Sequence, residues 1–252
     1  MSKAPWQVLQ QEPISYTRLS RYLQCPRLFK LVYLDGLPCP VGPAAQIGTV
    51  VHAVIAAYLR DVQQLSRRAR PDHVDLARRV GPTIRNLRIK GEITAPIDES
   101  SAKELLCGFA AIMPEIEPLA IRGIEEEWAF KINEYQCKAI IDLVLLGEDG
   151  TYRIIDWKTG KARNANDFQL SFYALPFLLS EGLGEICGTF AYLGDRRQGA
   201  RTIVSKDAME TARQVVILAR SIERDAKFAR RHSPLCEYCG VRSHCRKSSD
   251  DH

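Results

Sequence analysis

One stretch restricts this chain more than any other: residues 137–173, CKAIIDLVLLGEDGTYRIIDWKTGKARNANDFQLSFY. Two apolar runs, 139–146 and 152–157, flank Gly147-Glu148-Asp149-Gly150. Runs rich in Ile, Leu and Val around a Gly-bounded loop predict a β-hairpin. An acidic residue interrupts each run, Asp142 in the first and Asp156 in the second. Lys158 lies two positions beyond Asp156, and side chains two apart on a strand share a face. Pairing across the turn brings Asp142 to the same end of the sheet. Two carboxylates and a lysine then meet, which is the composition of a divalent-metal site with a cation beside it. Residues 166–179 predict a helix that carries Gln169 and Tyr173, four apart and so on one face. Pro176 kinks or ends that helix.

The segments before the hairpin read as mostly helical. Ser15 or Thr17 can cap a helix carrying Leu19, Tyr22 and Leu23. Cys25-Pro26 interrupts it, because the residue before proline avoids helical geometry. A second helical turn, 27–33, and a Pro/Gly-rich loop, 37–48, follow. Gly48 opens a long helix in which Val51, Val54, Ile55 and Tyr58 recur on one face. His52 lies in its first turn or two. Residues 66–120 read as a helical insertion with short helices, punctuated by Pro71, Pro82, Pro96 and Pro114. Residues 124–132 alternate, with Trp128, Phe130 and Ile132 on one face, and form the first strand. Glu127 lies on the opposite face and can approach the carboxylates, in competition with Glu125 and Glu126. Past the hairpin, 186–194 and 200–204 predict a further strand pair. Ser205 or Asp207 can cap a last long helix over 208–230.

The chain of 252 residues can bury a core as one large domain or two small ones. Its net charge of +5 is unevenly placed: residues 60–90 and 213–247 each hold nine Lys or Arg against three acidic residues. Such patches suit a polyanion. No apolar run approaches the roughly 20 residues that cross a bilayer. The N-terminus lacks the apolar core of a signal peptide, so a cytoplasmic location is expected. In that compartment the eight cysteines are expected to be reduced, and grouped ones call for a metal or a cluster. Cys236, Cys239 and Cys245 supply three thiolates, one short of a closed four-coordinate site. Zinc and iron–sulfur chemistry would both use such a set.

The order Asp142…Asp156-Trp157-Lys158 resembles the PD-(D/E)xK nucleases, and Gln169-x-x-x-Tyr173 with Gly48-x-x-x-His52 resembles their RecB-like branch. The resemblance implies an α/β, restriction-endonuclease-like mixed β-sheet core flanked by helices. It spans most of one nuclease domain, 1–252, with a helical insertion at 53–120 and a cluster-binding segment at 232–247. It implies Mn²⁺ or Mg²⁺ held by His52, Asp142, Asp156 and the backbone carbonyl of Trp157, with Lys158 as the catalytic cation. The imidazole tilts the metal preference toward Mn²⁺. Gln169 and Tyr173 would face the DNA strand or brace the site.

Cys25-Pro26, following Ser-x-Thr-x-Leu-x-x-Tyr, is similar to the N-terminal ligand segment of the iron–sulfur RecB-like nucleases. There one N-terminal and three C-terminal cysteines hold a 4Fe–4S cluster, here Cys25 with Cys236, Cys239 and Cys245. Cys39 is the nearest substitute. The resemblance further implies an exonuclease on single-stranded DNA or DNA ends, in CRISPR spacer acquisition or DNA repair. CRISPR integrase proteins or a helicase would be its partners, since the sequence carries no Gly-x-x-x-x-Gly-Lys-Ser/Thr motor motif of its own. The rival is a non-catalytic nucleic-acid-binding module stapled by the cluster. An enzyme acting on RNA is a second rival.

Overall fold

The structure is a computed structural model that describes residues 9, 11–66, 68–160, 167–180 and 182–245. Asn166, the expected helix start, and residues 246–247 of the expected cysteine segment lie outside the described residues. The elements run α1 (Tyr16–Gln24), α2 (Pro26–Phe29), α3 (Pro43–Gln64), α4 (His73–Ile89), α5 (Glu99–Ile112), β1 (Ile121–Ile132), β2 (Tyr135–Leu146), β3 (Tyr152–Lys158), α6 (Asp167–Leu175), β4 (Glu185–Tyr192), β5 (Arg197–Val204), α7 (Ser205–Arg224) and α8 (Arg242–Cys245). The strands make a five-stranded mixed sheet in the order β1-β2-β3-β4-β5, in an α/β fold with flanking helices. Among the described residues no helix is long and apolar enough to cross a membrane.

The predicted hairpin forms. β2 and β3 pair antiparallel with Leu143 opposite Ile155 and Val144 opposite Ile154. One step further along this register, Asp142 comes level with Asp156. Gly150 turns the chain with φ +80°, a conformation natural to glycine. β3 then pairs parallel with β4, so β3 is central and buried on both faces, from Ile154 through Trp157.

The chain forms two compact units. The larger comprises Pro43–Trp128 and Ile140–Ala208. Its core packs Val51, Val54, Ile55 and Leu59 of α3 with Val80 and Ile84 of α4, Leu106 and Phe109 of α5, and Leu143, Ile155 and Trp157 of the sheet. Phe109 meets Trp157 edge to face, with centroids 5.3 Å apart. α5 approaches closely because Gly108 has no side chain: a Cβ there would land on the Leu193 carbonyl oxygen. Two expectations need correction here. α3 starts at Pro43 rather than Gly48, since proline loses nothing in a first turn. Pro82 does not cut the insertion into shorter pieces, for α4 runs 17 residues straight through it. Leu76, Val80, Ile84 and Leu87 bury the opposite stripe, and that packing outweighs the one lost hydrogen bond.

The smaller unit gathers the described residues of Met1–Gly42, Ala129–Ala139 and Met209–His252. Ser15 caps α1, accepting from the Arg18 N–H. Cys25 is extended (φ −164°, ψ 112°) and separates α1 from α2. Phe29 stacks on Phe228 at 6.3 Å and meets Tyr22 edge-on at 5.7 Å. The Tyr22 hydroxyl donates to Asp225 at 2.8 Å. The early and late parts of the chain therefore share one aromatic core.

Candidate active site and cysteine centre

Within the larger unit, β2, β3, α3 and α6 bring the predicted site residues to one place. Asp142 and Asp156 are both buried. The Trp157 N–H donates to Asp142 Oδ2 at 2.7 Å, which fixes that carboxylate. On the same face of β3, the Lys158 ammonium lies 2.7 Å from Asp156 Oδ2. Gln169 ties this pair together from α6: its carbonyl accepts from Lys158 Nζ at 2.8 Å, and its Nε2 donates to Asp156 Oδ1 at 2.8 Å. Gln169 Nε2 also reaches the Tyr173 hydroxyl at 3.0 Å. The i, i+4 spacing thus builds a brace between helix and strand.

His52 comes from α3. Its Nε2 lies 3.1 Å from the Trp157 carbonyl oxygen. A carbonyl only accepts, so Nε2 carries a proton and Nδ1 faces the carboxylates. Nδ1 lies 3.3 Å from Asp142 Oδ1 and 3.4 Å from Glu125 Oε1. Burial acts against a charged ring, but Asp142 and then Glu125 outweigh it and raise His52 to about 10. Burial, then the charge on Asp142, pushes the Asp156 carboxyl well above the ordinary range, against the pull of Lys158 and His52.

Glu125, rather than Glu127, is the strand glutamate at His52. Its backbone sits at φ 49°, a left-handed conformation rare for a residue with a side chain. Glu127 lies exposed. Strand parity favoured the two glutamates equally, and the acidic run 125–127 was the only further signal.

One donor atom each from His52, Glu125 and Asp142 falls within 4.8 Å of the others. An imidazole and carboxylate oxygens suit Mg²⁺ or Mn²⁺. Asp156 stands outside that group of three, turned toward Lys158 and Gln169. Its Oδ2 is buried with no hydrogen bond of good geometry, although Lys158 sits at ion-pair distance. A buried carboxylate oxygen without a hydrogen bond is open to a cation. The donor set therefore fits a divalent metal. The Trp157 carbonyl is positioned as the partner that orients His52, as ligand histidines commonly require.

Within the smaller unit, Cys25, Cys236, Cys239 and Cys245 line one cavity of about 130 Å³. Leu28, Leu31 and Val241 form its apolar floor, and Cys39 packs against the same cluster. The Arg231 N–H points to Cys25 Sγ at 3.4 Å. Burial raises the Cys239 thiol, helped by neighbouring Cys39, Cys245 and Cys236. His244 is exposed beside Ser243, outside the lining. Cys137 is buried elsewhere.

Residues 13–246 match the PD-(D/E)XK nuclease superfamily. A solved structure from Eubacterium rectale, named a putative exonuclease, aligns over 96% of this chain and 91% of its own, at 12% identity and a TM-score of 0.51. SSO0001 aligns over 93% and 86% at 12% identity, with a TM-score of 0.42. No curated protein matches the chain. With nearly its whole length covered by that match, and with the sheet and helices described above, the chain belongs to the PD-(D/E)XK nuclease superfamily.

Proposed function

We propose that the protein is a divalent-metal-dependent deoxyribonuclease of the RecB-like type, acting as an exonuclease on single-stranded DNA or DNA ends. The observation that carries this is the convergence of His52, Glu125 and Asp142 beside the braced pair Asp156–Lys158. A divalent cation held by those side chains, with Asp156, would supply Lewis-acid polarisation of a phosphoryl oxygen. Lys158 brings a fixed positive charge to the place where negative charge grows in the transition state, and offers or takes a proton there. Gln169 holds Lys158 and Asp156 in register, so neither has to reorganise during the reaction. Exonuclease action rather than site-specific cleavage is what the family resemblance implies. The resemblance supports a place in CRISPR spacer acquisition or in repair, with integrase proteins or a helicase as partners.

The same reading assigns a 4Fe–4S cluster to Cys25, Cys236, Cys239 and Cys245. It rests on the resemblance and on the four cysteines that line one cavity; four thiolates would equally serve a zinc ion.

The test is cleavage of single-stranded DNA labelled separately at each end, with Mn²⁺ or Mg²⁺, under anaerobic preparation. Lys158→Ala and Asp156→Ala should each lose on the order of 10²–10⁴-fold in rate, and the two ladders should report polarity. A folded, metal-loaded wild type that binds DNA and cuts nothing would replace this reading with a binding role.

A further inference from the structure

A trench leaves the candidate active site along α3. It encloses about 720 Å³, and His52 and Glu125 form part of its wall. The α3 residues that line it recur three or four apart, so they make one helix face. That face is floored by Gly48, Ala53, Ala56 and Ala57. Small side chains there keep the trench open. Asn86 and Lys90 on the α4 side stand opposite as a polar rim. Past the trench a second depression of about 460 Å³ holds Gln63, Gln64 and Arg122, with the acidic Glu126 and Glu127 also in its lining. Arg60 and Glu125 line both. From Gly48 to Gln64 the helix runs about 24 Å at 1.5 Å per residue.

The basic residues of this region divide into two kinds. Arg79 pairs with Asp61 and Asp75, and Arg68 with Glu117, so their charges are met within the protein. Arg60 instead donates to the Ile124 carbonyl at 3.4 Å, and Arg122 to the Leu119 carbonyl at 2.7 Å. A main-chain carbonyl positions a guanidinium without neutralising it. Among the described residues no carboxylate makes an ion pair with either. Two oriented arginines outside any ion pair among the described residues therefore line a groove continuous with His52 and Glu125, with Glu126 and Glu127 on the wall beside them.

We propose that this α3 flank is the track for one DNA strand, with Arg60 and Arg122 holding successive phosphates and leading the strand to His52 and Glu125. The proposal rests on the nuclease reading above and adds the substrate's path to it. A cavity of this size accepts nucleotide-sized groups, so the occupant is an unpaired strand rather than a duplex. Among the described residues no aromatic side chain lines either depression. Binding on this track is governed by phosphate charge, tolerant of sequence and steeply salt-dependent.

The experiment measures anisotropy of a fluorescein-labelled oligothymidine on metal-free Lys158→Ala protein across a salt series, with and without Arg60→Ala and Arg122→Ala. Losing two phosphate contacts should flatten the slope of log K against log salt by about 1.4, at about 0.7 per contact for a single strand. In the Lys158-containing protein the same pair should raise KM with kcat unchanged. Ala57→Phe, which fills the trench without altering charge, should weaken binding at every salt concentration. An unchanged slope and KM would overturn the track and leave the nuclease reading intact. A flattened slope beside a wild type that cuts no DNA would uphold the track and overturn the nuclease reading. Equal, equally Arg60-dependent binding of a blunt duplex would overturn the single-strand assignment.

Discussion

A divalent ion held by His52 would have its binding coupled to pH, in a way that follows from the residue's neighbours. In the metal-free fold the ring sits against Asp142 and Glu125, which raise it to about 10 in spite of burial. A metal at Nδ1 must displace that proton. Apparent Mn²⁺ affinity should therefore rise about tenfold per pH unit up to about pH 10, whereas an ordinary histidine would level off about one unit above 6.5. Titration calorimetry at pH 8 in buffers of different ionisation enthalpy should show about one proton released per ion. A flat affinity between pH 7 and 9 would show that metal binding displaces no proton from His52 in that range. The sign for folding is separate. The raised ring stabilises the metal-free fold in full below its unfolded value of about 6.5, and this contribution is lost as pH climbs through 10. Glu125 belongs to the same argument, because its charge helps hold the proton on. Its place was not legible in the sequence: a backbone at φ 49° re-aims the side chain, and nothing in IEEEWAFKI announces that turn.

At the scale of elements, the geometry of the candidate site depends on how closely α5 can lie against the sheet. Gly108 touches the Leu193 carbonyl, and the Leu193 N–H bonds the Lys158 carbonyl at 2.9 Å. Gly108→Ala should force α5 outward and cost on the order of 1–3 kcal/mol by urea denaturation. Gly199→Ala, on β5 with open space around it, should be near neutral. Equal effects would show that α5 yields freely. The hairpin was readable because its carboxylates interrupt otherwise apolar runs and because strand parity places Asp156 and Lys158 together, as the 2.7 Å contact shows. Four-residue spacing put Gln169 and Tyr173 on one helix face, and it was the family resemblance that brought that face to the site. The unbroken α4 was not, since proline's local penalty is visible in sequence while the stripe that offsets it depends on what α3 and α5 present to it.

At the scale of the whole molecule, the chain returns to its beginning: the Arg231 N–H meets Cys25 Sγ across 206 positions. Tyr22, Phe29 and Phe228 make the same closure with aromatic surface. A cluster held by Cys25 and the three late cysteines would add bonds to that closure, and constraining so long a loop in the unfolded chain is worth on the order of 5 kcal/mol in the chain-entropy description. Cys25→Ser, purified anaerobically, should lose iron and visible colour and should unfold at clearly lower denaturant. Cys39→Ser should keep both, since Cys39 packs beside the group without lining its cavity. The reverse pattern would make Cys39 the fourth ligand. Zinc in place of iron in the wild type would leave the closure standing and replace the cluster. Single-strand binding by the larger unit's Arg60 and Arg122 should survive Cys25→Ser wherever that variant remains folded, because every residue of the track lies in Pro43–Trp128. Loss of binding in a folded Cys25→Ser protein would instead show that the cysteine unit itself contributes to holding the strand.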